Sequence, residues 1–136
     1  MKSPHNHLNS RWGVALVEAG FTLLLFLIAL IGVMETGRAW MNKNLLTHAV
    51  REGTRLAVVT PDLVPGDARI IARINTLLAG GGLIPVAPPT IAFVGGSVRG
   101  TMVTVRAQVN FQPVFSAVFG STAAIPLVSQ VVARHE

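Results

Sequence analysis

The sequence predicts an α+β fold, in which a long N-terminal helix, first transmembrane and then amphipathic, packs with a short second helix on a small antiparallel sheet. Three patterns predict it: an apolar run in the first third, apolar residues at helical spacing behind that run, and strand-like alternation from residue 90 onward. Of the 136 residues, 51% are hydrophobic and only 12% are charged, whereas soluble domains average about 25% charged residues. We therefore expect one small domain attached to a membrane segment.

The apolar run divides the N-terminal part into a polar, basic leader at residues 1–13 and a transmembrane helix at residues 14–34. A helix over residues 14–34 is about 31 Å long, close to the thickness of a bilayer core. A secretory signal peptide is the alternative. It is disfavoured because the run exceeds the usual apolar length of about 7–15 residues and no small-x-small cleavage site follows it.

The first helix is expected to continue beyond the membrane, because no proline occurs between Pro4 and Pro61. One helix would run from about residue 13 to 58, and Ser10 is placed to cap a helix that starts near Arg11. Residues 35–136 would form the small α+β domain, with 35–58 as the helix extension and 67–79 as the second helix. The apolar stripe of the extension, expected to cover the sheet, consists of Leu46, Ala49, Val50, Gly53, Leu56 and Ala57.

Three strands are predicted, at about residues 90–95, 101–111 and 125–133. The alternation is clearest in the second strand, where Val103, Val105, Ala107, Val109 and Phe111 share one face. A turn at Gly95-Gly96-Ser97 would join the first two strands. Pro126 must lie at the start of the last strand or on a sheet edge, because proline cannot donate to a central ladder.

No catalytic, cofactor or metal site is expected. The four histidines (His5, His7, His48 and His135) lack metal-ligand spacing with a carboxylate. The Gly80-Gly81-Gly82 run lacks the Lys-Ser/Thr of a phosphate loop. Lys and Arg outnumber Asp and Glu by 11 to 6, but the bases are scattered singly, which argues against nucleic-acid binding. Because the chain has no cysteine, disulfides and thiol catalysis are excluded.

One carboxylate, Glu18, stands at the head of the apolar run, five residues after Gly13. A charge there is costly in lipid, so Glu18 either marks the membrane boundary or has a partner. Gly13 has no side chain and lets a peptidase approach closely. Cleavage after Gly13 would leave a cationic amine on Val14, which is four residues from Glu18 and on the same helix face. Such a pair, within one helix or between neighbours, would offset the cost of burial.

The stretch Gly13-Val14-Ala15-Leu16-Val17-Glu18 resembles the prepilin-peptidase site of type IV pilin-like proteins. More specifically, the chain resembles the TadE-like pseudopilins of the tight-adherence (Tad/Flp) pilus system. Three further stretches are similar to that family: Glu35-Thr36-Gly37-Arg38, Ala49-Val50-Arg51-Glu52-Gly53-Thr54-Arg55, and the strand-rich end with Phe111-Gln112-Pro113. One departure is Ala19-Gly20, where the family usually has an aromatic residue after the glutamate.

The resemblance implies a structural protein, not an enzyme, whose leader is removed by a prepilin peptidase. The mature subunit would assemble with other pilin-like subunits, at the inner-membrane platform of the machinery, to initiate or form a pilus. Glu18 would then pair with a neighbour's new amine. Packing contacts in the membrane are expected at Phe21, Leu24, Leu25, Ile28 and Ile31. Glu35 and Arg38 are spaced to pair, or are merely solvated, and close helix packing is a reason for Gly37 and Gly53.

Orientation and processing have competing interpretations. The basic residues just beyond the apolar run would keep the C-terminal domain inside the cell by count alone. The family resemblance implies the opposite: a single-pass bacterial inner-membrane protein with a cytoplasmic leader and a periplasmic or extracellular C-terminal domain. Two alternatives to a processed pilin remain, an uncleaved membrane-anchored binding protein and a secreted domain released by signal cleavage.

Overall fold

The computed structural model describes residues 8–94, 100–114, 116, 120 and 123–135. Within them, two helices, α1 (Leu8–Val59) and α2 (Ala68–Gly80), precede three strands, β1 (Thr90–Val94), β2 (Met102–Phe111) and β3 (Ile125–Arg134). The α+β prediction is therefore confirmed. Residues 1–7 of the predicted leader and the predicted turn at Gly95-Gly96-Ser97 lie outside the described residues.

Helix α1 is 52 residues long and ends one residue beyond its predicted end, two residues before Pro61. Its start differs from the prediction, since the helix already includes Leu8 and Ser10 lies inside it, not at its cap. The physical reason is that extending an existing helix is far easier than nucleating one. After Pro4, nothing in the leader removes a backbone donor, so the helix continues toward the N-terminus.

By internal packing the chain divides into an N-terminal unit, Met1–Gly37, and a C-terminal unit, Arg38–Glu136. In the N-terminal unit, every described side chain from Trp12 to Met34 is exposed, including all the large apolar ones. One described helix, Trp12–Val59, is long and apolar enough to cross a membrane by length and composition. That stretch of α1 fits a single-pass membrane anchor.

Among its described residues, the C-terminal unit has a hydrophobic core in which a face of α1, one face of α2 and the inner face of the sheet meet. From α1 it contains Leu46, Ala49, Val50 and Ala57, and from α2 it contains Ile70, Ile74 and Leu78, all fully buried. Leu56 packs against this core while half-buried. The predicted stripe of α1 is therefore confirmed as the cover of the sheet.

The sheet has the order β1-β2-β3, and both pairings are antiparallel. Its central strand, β2, alternates between buried and accessible residues, with Val103, Val105, Ala107, Val109 and Phe111 buried as predicted. Strand β3 lies at an edge, and Pro126 is its second residue, opposite Asn110. The position of Pro126 thus satisfies the constraint expected from its missing N–H.

Two glycines allow the helices of the C-terminal unit to approach each other. A Cβ on Gly53 of α1 would lie 2.6 Å from both Cγ1 and Cδ1 of Ile74 on α2. A Cβ on Gly81, which caps α2, would lie 1.9 Å from Cδ2 of Leu45 on α1. Close packing therefore accounts for Gly53, as predicted. For Gly37, a Cβ would meet nothing within 4 Å among the described residues, so close packing as its reason stays a prediction.

Candidate assembly site

The predicted cleavage site lies within α1, since the helix runs without interruption through Gly13 and Val14. Both residues are exposed, and a Cβ placed on Gly13 would meet nothing within 4 Å. Val14 and Glu18 are one helical turn apart, so their side chains lie on the same face of α1. The pairing of an amine on Val14 with the Glu18 carboxylate stays a prediction.

The surroundings of Glu18 are open. Its backbone carbonyl accepts a hydrogen bond of 2.9 Å from Thr22 Oγ1. Its carboxylate, by contrast, has no hydrogen bond or ion pair within the described residues and is exposed. It borders a shallow groove along α1, lined also by Ala15, Ala19, Thr22, Leu23 and Phe26. The two alanines lower the helix surface beside the carboxylate, which leaves space for a side chain or backbone of another helix.

The expected membrane-packing residues are all exposed. Phe21, Leu24, Leu25, Ile28 and Ile31 are exposed by 39–65% of their surface. At 3.6 residues per turn these five residues lie within about a third of the circumference of α1 and share one face. The run they belong to is nevertheless apolar around its whole circumference. Such a helix is stable only where its apolar surface is removed from water. Lipid, neighbouring helices or both can provide that environment.

The first stretch of the family pattern lies where the two units divide. Glu35 is half-buried and Gly37 is exposed. The guanidinium carbon of Arg38 lies 5.6 Å from the ring centroid of Phe111, the last residue of β2. This cation–π contact joins α1 to the end of the central strand within the C-terminal unit. The predicted pairing of Glu35 with Arg38 stays a prediction.

Four residues of the second stretch, Arg51, Glu52, Gly53 and Arg55, lie in three different environments. Gly53 is buried against α2. Glu52 lies 3.4 Å from the guanidinium of Arg73 on α2, an exposed pair that joins the two helices. Arg51 and Arg55 are exposed on the opposite side of α1 from the core. The pattern therefore combines a packing residue, a link between helices and two arginines with access to solvent.

Asp67 caps α2, a role that the sequence reasoning missed because it placed Asp67 inside the helix. Its Oδ1 accepts a 2.9 Å hydrogen bond from the backbone N–H of Arg69, and its Oδ2 lies 2.7 Å from the Arg69 guanidinium. The side-chain hydrogen bond from Arg69 is the main reason that the pKa of Asp67 lies below its ordinary value. An aspartate directly before a helical apolar pattern is the sequence signal for such a cap.

Three polar side chains tie α1, or the residue just after it, to β3 or the residue just after that strand, and the sequence did not single them out for this role. Lys43 Nζ donates to the carbonyl of Val128 on the edge strand β3. Ser129 Oγ lies 3.4 Å from Thr47 Oγ1. His135 is buried, and its Nε2 donates to the carbonyl of Thr60, just after α1, over 3.1 Å. No sequence signal could identify these contacts, because each joins residues at least 75 positions apart.

Metal-ligating side chains do not cluster in the part of the chain that the structure describes. No group of three or more His, Cys, Asp or Glu residues there is arranged to hold an ion. The two described histidines have separate surroundings, since His48 is exposed on α1 and His135 is buried beside Thr60. The features that remain as a site are therefore the open carboxylate of Glu18 and the uncovered apolar surface around it.

Comparison with known proteins gives a match over the part of the chain that contains Glu18 and the apolar run. Neither the curated proteins nor the solved structures contain a match. A family model does match, and its range begins at Gly13 and ends at Arg55, so it includes the predicted cleavage site, Glu18 and the two motif stretches after the apolar run. The expected resemblance is confirmed: over residues 13–55, the chain is similar to the TadE-like protein family.

Proposed function

We propose that this chain is a pilin-like structural subunit of a Tad pilus, which acts by assembling with other pilin-like subunits and catalyses nothing. One observation carries the proposal. The segment that matches the TadE-like family contains both the uncovered apolar part of α1 and the open carboxylate of Glu18. A surface of this kind in a single chain is suited to contacts with lipid and with other membrane helices.

Processing is the first step of the proposal. A prepilin peptidase removes the leader after Gly13, and the mature chain begins at Val14. The open space around Gly13 supports access, because no neighbouring side chain of the described residues would meet even an added Cβ. The helix at this point must unwind locally for the bond to enter a peptidase site, and a glycine lowers the cost of that unwinding by up to about 1 kcal/mol relative to alanine.

Glu18 then provides the assembly contact. The amine on Val14 of one subunit pairs with the Glu18 carboxylate of its neighbour, so that each charge is neutralised as the helices pack in lipid. The groove beside Glu18 provides room for that neighbour. Removing one partner of a buried ion pair is strongly unfavourable, by about 3–5 kcal/mol, which makes such a pair a determinant of register between helices.

The proposed location is the bacterial inner membrane, which the chain crosses once. The leader faces the cytoplasm, where the peptidase and the assembly platform act, and the C-terminal unit lies in the periplasm or outside the cell. Two features support a single crossing: one described helix is long and apolar enough to span a bilayer, and the C-terminal unit has its own buried core.

Two variants test the proposal in native membranes. Gly13→Ala should accumulate with the leader still attached, because the peptidase loses its close approach. Glu18→Gln should be inserted and processed normally but should form few or no filaments with its partner subunits. Glu52→Gln provides a matched control, since it makes the same chemical change at an exposed pair outside the apolar run.

The outcomes distinguish this proposal from its rivals. Normal maturation of Gly13→Ala would contradict the peptidase step. Normal filaments from Glu18→Gln would reduce Glu18 to a marker of the membrane boundary. A wild-type chain that is inserted normally but keeps its leader would favour a membrane-anchored binding protein.

A further inference from the structure

The part of α1 in the C-terminal unit has one face that neither the core nor the sheet covers. We call it the basic face and define it as Trp40, Met41, Asn44, His48, Arg51, Arg55 and Val59. All seven residues are exposed, and Trp40, Met41 and Val59 are exposed by 71%, 63% and 64%. At 3.6 residues per turn they lie within about a third of the helix circumference, opposite the buried stripe that contains Leu46 and Val50.

No carboxylate among the described residues neutralises the positive charge of this face. Arg51 and Arg55 are four residues apart, and neither forms an ion pair or a side-chain hydrogen bond in the described residues. The carboxylates of Glu52 and Asp67 are engaged elsewhere, by Arg73 and Arg69. Two like charges at this spacing destabilise a helix by about 0.2–0.5 kcal/mol. An anionic partner would remove that repulsion.

We propose that the basic face docks a helix of a partner pilin-like subunit, one that presents two carboxylates four residues apart. This inference rests on the proposed function, because it assumes assembly with such subunits. Arg51 and Arg55 lie about 6 Å apart along the axis of α1, and carboxylates on an adjacent helix at the same spacing would face them. The arginine fork binds a carboxylate through two parallel hydrogen bonds, which fixes the register of the two helices.

The composition of the face favours a protein partner. Trp, Met and Arg are enriched at protein interfaces, and exposed Trp40 offers a large apolar anchor beside the charges. Anionic lipid surfaces are recognised by clusters of about four to eight basic residues, whereas this face has only Arg51 and Arg55 as permanent charges. Nucleic acid likewise requires neutralisation of several phosphates.

A second copy of this chain is not the expected occupant. From Arg38 to Glu136 the sequence has nine Lys and Arg residues against four Asp and Glu residues. Among the described carboxylates of that unit, Asp67 is buried against Arg69 and Glu52 is paired with Arg73, which leaves Asp62 alone. The unit therefore has no described pair of free carboxylates to offer, and two copies would repel each other at this face.

Site-specific cross-linking in native membranes tests the inference on the full chain. A photoreactive benzoylphenylalanine replaces His48, which leaves both arginines intact, and a second version carries it in place of Leu24 in the apolar run. The expected product from position 48 is a cross-link to a pilin-like subunit, within a peptide that has two carboxylates four residues apart. Combining it with Arg51→Glu and Arg55→Glu should lower the yield about tenfold.

Arg106→Glu is the matched control, because Arg106 is an exposed arginine of β2 away from this face. It should change the yield by less than about twofold. The inference is overturned if position 48 cross-links only to lipid, to a second copy or to nothing while position 24 captures pilin-like subunits. A yield that survives the double charge reversal also overturns it. If position 24 captures no pilin-like subunit, the proposed function itself fails, and this inference fails with it.

Discussion

The two parts of α1 share one backbone and differ in what covers them. Between Trp12 and Met34 every described side chain is exposed, whereas Leu46, Ala49, Val50 and Ala57 are fully buried. Both parts are rich in apolar residues, but only the second has an apolar stripe with polar residues on its other faces. The second part is therefore stabilised by its own chain, while the first part needs surroundings, such as lipid or other helices, that the described residues do not provide.

The largest difference between the two parts of α1 is expected when a leucine in each is shortened to alanine. Leu46→Ala leaves a cavity in the core, so the free energy of unfolding of the C-terminal unit should fall by about 2–5 kcal/mol. Leu24→Ala makes the same chemical change on the uncovered part and should alter it by less than about 0.5 kcal/mol. Hydrogen exchange of the β2 amides, in the full chain in detergent micelles, measures both values.

Equal losses from Leu46→Ala and Leu24→Ala would contradict the division of α1 into a covered and an uncovered part. They would mean that the apolar run contributes to the stability of the C-terminal unit.

Gly53 lies in the covered part of α1 and Gly37 lies outside it, so the same substitution at both should have different effects on stability. Gly53→Ala brings a Cβ to within 2.6 Å of Ile74. We expect a net loss of about 1–2 kcal/mol, because overpacking exceeds the gain in helix propensity. Gly37→Ala meets nothing and should cause no loss. Urea unfolding of the two variants, monitored through the β2 amides, measures the difference in their free energies of unfolding. If the two variants are equally stable, the contact between α1 and α2 is looser than the structure shows.

Acid unfolding provides the smallest expected effect and concerns the covered part only. The pKa of Asp67 in the folded unit is lowered, chiefly by the hydrogen bond from the Arg69 side chain, and its unfolded value is about 3.9. Its contribution to stability is therefore fully present above pH 4 or so and is lost as the pH falls through the folded pKa. Asp67→Asn keeps an oxygen for the helix cap but loses this pH dependence.

The measurement is the urea midpoint between about pH 5 and pH 2, where the wild type should lose more stability than Asp67→Asn. Asp62→Asn, at an exposed aspartate with φ of 57° that asparagine also tolerates, is the control and should follow the wild type. A parallel decline of wild type and Asp67→Asn would show that the Asp67–Arg69 pair does not stabilise the folded unit.

Helices and strands with a regular spacing of apolar residues were predictable from the sequence. The face that an element buries determines which of its positions are apolar, so the spacing is visible in the sequence. This holds for α1, for α2 and for β2, whose alternation matches its buried residues one by one. The start of α1 was not predictable, because no residue between Pro4 and Gly13 marks where the helix, continued toward the N-terminus, begins. The contacts of Lys43, Ser129 and His135 were not predictable either, because they depend on how distant segments meet in space.

The candidate site was partly predictable for the same reason. Gly13, Val14 and Glu18 are close in sequence, so helix geometry alone places Val14 and Glu18 on one face. The basic face was not predicted as a surface. Arg51 and Arg55 were known as members of a sequence pattern, but their accessibility depends on which side of α1 the sheet and α2 cover.

If the uncovered part of α1 is retained and functional, the mature chain begins at Val14. The intact mass of the chain, purified from native membranes, measures where it begins. We predict a chain that lacks residues 1–13 and keeps the whole apolar run. An intact chain beginning at Met1, or one beginning after Met34, would contradict it.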